Sequence, residues 1–100
     1  MARSDTKRSP AAVVPLFENE RFRSVRFDFA PGAETGWHTH GLDYVITTIT
    51  PCNFLLEEPD GTSRTVKLGA GESYQNACGV EHNVINGGDA PMSFVELEIK

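Results

Sequence analysis

The stretch Gly32-Ala-Glu-Thr-Gly-Trp-His38-Thr-His40-Gly-Leu-Asp-Tyr44 carries two of the three histidines in the chain. Two positions apart on a β-strand, side chains leave the same face of the pleat about 6–7 Å apart, a spacing from which two imidazoles converge on one ion. A helix would point them in different directions. The value of the pair therefore depends on whether the flanking residues are strands, and on whether a third group closes the site.

The flanks read as strands. In Arg21-Phe-Arg-Ser-Val-Arg-Phe-Asp-Phe29, Val25, Phe27 and Phe29 alternate with Ser24, Arg26 and Asp28, the period of a half-buried strand. Pro31 and Gly32 end it in a turn. Upstream, Val13, Val14, Leu16 and Phe17 form an apolar cluster broken by Pro15, which suits an edge strand. Downstream, 44–50 is rich in β-branched and aromatic residues and stops at Pro51. Phe54-Leu-Leu56 and Thr65-Val-Lys-Leu68 flank the turn signal Pro59-Asp-Gly61 and read as a hairpin. Short strands follow at 73–75 and 82–86, and a last one runs from Met92 to Ile99. There Val95, Leu97 and Ile99 alternate with Glu96 and Glu98, so an apolar buried face and an acidic solvated face are expected. No segment has an apolar stripe at helical spacing, and turns recur about every 8–15 residues, the rhythm of an antiparallel sandwich or barrel.

One hundred residues suffice for one core. We expect a single domain over 10–100, with 1–9 a polar, flexible arm that ends at Pro10. An apolar fraction of 39% and a charged fraction of 23% are globular values. A net charge of −5 excludes nucleic acid and anionic membranes as expected partners, since these require clustered cations. Arg21, Arg23 and Arg26 are expected to lie on solvated sheet faces. No apolar run approaches the roughly 20 residues that span a bilayer, and no secretory pattern opens the chain, so a cytoplasmic protein with Cys52 and Cys78 reduced is expected.

The chain resembles the cupins, whose two motifs are G-x5-H-x-H-x3,4-E-x6-G and G-x5-P-x-G-x2-H-x3-N. Gly32, His38 and His40 match the first. Gly71, Gly79, His82 and Asn86 match the second, with Ala77 where the family has proline. The matched region runs from 32 to 86. The resemblance implies an all-β fold, an antiparallel double-stranded β-helix or jelly-roll barrel, with His38, His40 and His82 as ligands of one divalent metal ion. Ligand type leaves Fe, Mn, Zn, Ni and Cu open.

The chain departs from the pattern where the first motif has glutamate. That position is Tyr44, and Pro51 stands in place of the closing glycine. Asp43 is the adjacent acidic candidate for the ion, although alternation puts it on the face opposite Tyr44. Tyr44 and Gln75 are candidate pocket residues; Asn76 is a polar neighbour, and Asn83 has the wrong parity relative to His82. Cys78 reads as a loop thiol, and Trp37 and Phe54 as packing residues.

Three neutral ligands leave the ion its full charge and a free position, an arrangement of catalytic type suited to a small, anionic ligand or substrate. An enzyme is expected, a dioxygenase or an isomerase or lyase acting on a small oxygenated acid. A non-catalytic binding or sensing module is the alternative. Phe94 shares the parity of Glu96 and Glu98, which places it on the exposed face of the last strand and, with the resemblance, suggests a homodimer.

Overall fold

The computed structural model describes residues 8–100, and among these the secondary structure is strand throughout. The strands are β1 (Ala12–Glu18), β2 (Phe22–Phe29), β3 (His38–Thr39), β4 (Asp43–Thr48), β5 (Cys52–Glu57), β6 (Ser63–Leu68), β7 (Ser73–Asn76), β8 (Glu81–Asn86) and β9 (Met92–Ile99). They form two antiparallel sheets, one in the order β1-β2-β9-β4-β7 and the other in the order β3-β8-β5-β6. The double-stranded β-helix expected from the sequence is the fold. Among the described residues no helix is long and apolar enough to cross a membrane. The flexible-arm reading of residues 1–7 lies outside the described residues. Arg8 and Ser9, counted with that arm, are tied down: Arg8 pairs with Glu34 and Glu57, and the Ser9 carbonyl accepts from the Glu34 amide.

The core lies between the sheets. Phe29, Ala33, Tyr44, Ile46, Cys52, Phe54, Leu56, Val84, Met92 and Phe94 are buried together. The aromatic rings join the layers. Phe94 on β9 stacks on Phe27 and Phe29 of β2 with centroids 5.3 and 5.5 Å apart, and meets Phe54 of the opposite sheet edge-on at 5.4 Å. Such pairs add about 0.5–1.5 kcal/mol beyond the burial of their area. β1 is an edge strand, as its proline suggests, and β5 and β6 form the expected hairpin across Pro59-Asp-Gly61.

The last strand faces the other way from its expected orientation. Phe94 is 3% exposed, and Met92 and Glu98 are buried with it, whereas Val95 and Leu97 are only half-buried and Ile99 is exposed. Register explains this. Met92, Phe94, Glu96 and Glu98 stand opposite Phe29, Phe27, Val25 and Arg23 of β2, all on the inward face. Met92 and Phe94 fit into the aromatic core formed by Phe27, Phe29 and Phe54, and period-2 geometry then carries both glutamates inward with them. The same register corrects the reading of the arginines: Arg23 is not on a purely solvated face but closes on inward-facing Glu98, with Nε 2.7 Å from Oε1. Arg26 does lie outward, paired with Asp28 at 3.0 Å.

This orientation is checked by chemical unfolding. Phe94→Ala is expected to lower the unfolding free energy by about 3–5 kcal/mol, as for other buried aromatic truncations. Val95→Ala is expected to cost about 1 kcal/mol. Equal losses would contradict the inward placement of Phe94.

Candidate metal centre

Three strand ends and one turn position the histidines. His38 on β3 stands directly opposite His82 on β8 in an antiparallel pair, which brings the two side chains out on one face. His40 lies just beyond β3. Its amide donates to the Val80 carbonyl and its carbonyl accepts from the Gly79 amide, both at 2.8 Å. That reciprocal clamp requires the chain to reverse at Gly79, where φ is +98°, a value that disfavours any residue with a Cβ.

The three rings converge. His38 Nε2 and His40 Nε2 are 3.0 Å apart, and His40 Nε2 and His82 Nε2 are 3.2 Å apart. The ligating atoms of all three lie within 4.8 Å of one another. His38 Nδ1 donates to the Gly36 carbonyl at 2.8 Å, which leaves its Nε2 as a lone pair turned toward the other two rings. His40 and His82 are buried, and His38 is half-buried.

Burial sets the protonation states. The pKa of His82 falls to about 3, through desolvation first and then the neighbouring His38 and His40. That of His40 falls to about 4, through desolvation first and then the neighbouring His38. Both imidazoles are therefore neutral at physiological pH. The donor set fits a divalent ion. With metal–nitrogen bonds of about 2.1 Å, two nitrogens at a right angle are separated by about 3.0 Å, and at the tetrahedral angle by about 3.4 Å. The observed separations of 3.0 and 3.2 Å fall in that range.

The walls differ from the sequence-based expectation in several places. Tyr44 is buried and does face the site, but as a wall: its ring stacks on His40 with centroids 3.7 Å apart, and its hydroxyl accepts from Asn76 Nδ2 at 3.1 Å. Burial raises the Tyr44 pKa, so the phenol stays protonated. Asp43 is exposed and pairs with Ile99 in register, on the outer face, where its carboxylate accepts from the Cys78 amide at 2.8 Å. Gln75 stands opposite Val45 on the outer face and is exposed. Neither lines the histidine cavity. Cys52 is buried, Cys78 is exposed, and both are free thiols.

The sequence reading missed the acidic side of the site. A cavity of about 20 Å³ is lined by Phe27, His38, His40, Tyr44, His82 and Glu96, among others. An open cleft of about 290 Å³ shares His38, His40 and Glu96 and adds Arg23 and Glu98. Glu96 is pushed up to about 7, by desolvation first and by the negative charge of Glu98 second. The available signal was parity: Met92 and Phe94 alternate in step with both glutamates.

Asn83 also does more than its parity suggested. It is fully buried, its Oδ1 accepts from the Gly36 amide at 3.0 Å, and its Nδ2 donates to Glu34 at 2.8 Å and Glu57 at 2.9 Å. Gly36 is the residue whose carbonyl orients His38, so Asn83 acts as a positioning residue from behind the site.

The fold, the two histidine motifs and the converging rings define the class, and a model of the cupin domain matches residues 25–98. The chain belongs to the cupin family. It is 54% identical over 83 residues to the β-alanine degradation protein BauB of Pseudomonas aeruginosa, covering 83% of this chain and 86% of that protein. A crystal structure of a cupin domain from Bordetella pertussis superposes with a TM-score of 0.89 at 47% identity, covering 95% of this chain and 98% of the other. The polyketide cyclase RemF of Streptomyces resistomycificus shares the fold, with a TM-score of 0.71 at 23% identity over 99% of this chain and 77% of its own.

Acid stability of the chelator-treated protein tests the burial of the imidazoles. Because the folded pKa values of His40 and His82 lie below the ordinary 6.5, protons bind more readily to the unfolded chain. Stability present above pH 6.5 is then lost as pH falls toward 4 and 3. Glu96, raised from 4.5 to about 7, acts in the opposite direction between those values, one group against two. The thermal midpoint is expected to fall from pH 6.5 to pH 4.5, less steeply in His82→Gln and more steeply in Glu96→Gln. A midpoint independent of pH in this window would contradict the assignment.

Proposed function

We propose that this protein is a metal-dependent enzyme in which His38, His40 and His82 bind a divalent ion and the cleft above it takes a small oxygenated acid. The observation that carries this reading is the convergence of three imidazole nitrogens, two of its separations being 3.0 and 3.2 Å, within a buried pocket. An ion held between the three nitrogens would accept a lone pair from each of them. When bound, the ion retains its charge and supplies a Lewis acid able to hold a carboxylate or enolate. The chain's own residues do the rest: Tyr44 and Phe27 wall one side of the cavity, and His38 is held by Gly36.

The reaction class we favour is dioxygenation, or isomerisation or elimination on a small acid. The likeness to BauB supports a substrate of the size and type met in β-alanine degradation. Non-catalytic ligand or metal binding is the second reading, supported by a tyrosine where the first motif has its carboxylate, with its hydroxyl engaged by Asn76. We place the protein in the cytoplasm, a reading supported by its two free thiols.

Metal content separates these readings. Protein produced in metal-replete medium is expected to carry close to one divalent ion per chain by elemental analysis, with His82→Gln carrying under a tenth of that. Oxygen uptake or product formation with a panel of small keto, hydroxy and amino acids supports the enzyme. Ligand-dependent stabilisation without turnover supports the binding module, and wild-type metal content in His82→Gln would refute the three-histidine metal site.

We further propose a homodimer, on a surface other than the Phe94 face expected from the sequence. Val13, Leu16 and Phe17 of edge strand β1 are 57, 45 and 53% exposed and line a cleft of about 380 Å³, apolar surface that a second copy would cover. Light scattering is expected to give twice the chain mass, and Phe17→Glu is expected to return the monomer. A wild-type monomer at tens of micromolar would refute the pairing.

A further inference from the structure

We propose that Glu96, from the last strand, is the carboxylate of the metal centre, taking over from the far side the role vacated at Tyr44. The inference rests on the reading of His38, His40 and His82 as ligands, and goes beyond it by naming a fourth ligand from an element outside both histidine motifs. Neither motif nor charge pattern points to β9.

Three observations support it. First, the first-motif position is closed to ligation, because the Tyr44 ring lies flat on His40 at 3.7 Å and its hydroxyl is engaged by Asn76. Second, Glu96 lines the same cavity as all three histidines, and the ligating atoms of His40, Glu96 and Glu98 lie within 4.8 Å of one another. A rotamer change of the flexible Glu96 side chain would carry its carboxylate from beside His40 toward an ion held by the three imidazoles. His40 belongs to both groups, which makes the carboxylates an extension of the histidine cluster.

Third, the charges inside the cleft do not balance. Its lining holds two carboxylates, Glu96 and Glu98, and one guanidinium, Arg23. Arg23 approaches Glu98 at 2.7 Å, yet Glu98 Oε1 is buried and makes no hydrogen bond, so even this pair is imperfectly matched. Without a further cation, Glu96 is held toward its neutral form by burial and by the charge of Glu98. A divalent ion at the adjacent imidazoles supplies that cation. Glu96 rather than Glu98 is assigned because only Glu96 faces the inner cavity, while Glu98 remains with Arg23 at the mouth.

Binding of Co²⁺ to chelator-treated protein tests this, read by titration calorimetry and by the visible ligand-field bands of the bound ion. The Glu96→Gln substitution preserves size and removes a buried charge, and its fold is checked by circular dichroism. Glu96→Gln is expected to weaken Co²⁺ binding by about tenfold or more and to shift the ligand-field bands, with Glu96→Asp in between and Glu98→Gln within about threefold of wild type. If Glu96→Gln leaves affinity and spectrum unchanged while His82→Gln abolishes binding, the Glu96 assignment is wrong and the three-histidine reading stands. If His82→Gln binds as wild type does, the underlying metal reading fails. A shift seen in Glu98→Gln and not in Glu96→Gln also overturns the assignment.

Discussion

The inward register of β9 against β2 is the constraint on which the rest of the molecule depends. Phe94, stacked on Phe27 and Phe29 and touching Phe54 of the other sheet, fixes which side of the strand is buried. Because side chains alternate strictly, that choice also decides where Glu96 and Glu98 go. The hydrophobic contacts at one end of the strand thus place two carboxylates beside the histidines at the other. Packing and chemistry are carried on a single strand face, divided by length and not by side.

The opposite face of the barrel is organised by a shorter device. β3 contributes only two residues to its sheet, yet His38 meets His82 across it, and the turn at Gly79 draws in His40 by two backbone hydrogen bonds. A site built on so little regular structure needs support from behind, and Asn83 provides it through the Gly36 amide. The arrangement has a mechanical logic: the histidines sit at strand ends, where small adjustments are tolerated, while Asn83, which limits those adjustments, is fully buried.

Much of this was legible in the residues. The alternation in 21–29, the hairpin at 59–61 and the histidine spacings led to the barrel and to the three rings, because each depends on local geometry or on a fixed count between residues. Asp43 behaved as its parity required. What the sequence misrepresented was β9, where Val95, Leu97 and Ile99 looked like the buried set. Hydropathy counts residues, whereas the core selects by fit, and Met92 with Phe94 filled the space opposite Phe54. Arg23 and Gln75 were hard to place for a related reason: strand pairing across 75 residues decides that Arg23 meets Glu98, and pairing with Val45 turns Gln75 outward. Such long-range register has no trace in a local pattern.

The hydrogen bonds of Asn83 reach further than the histidines. Its amide group holds Glu34 and Glu57, and the same two carboxylates receive Arg8, 3.2 Å from one and 3.7 Å from the other. Without that guanidinium, two like charges would face each other across a single neutral amide. The loop bearing the first two histidines is therefore fastened to the beginning of the described chain, and a cut or a lost charge there would be felt as slack in the very residues that have to hold their angles.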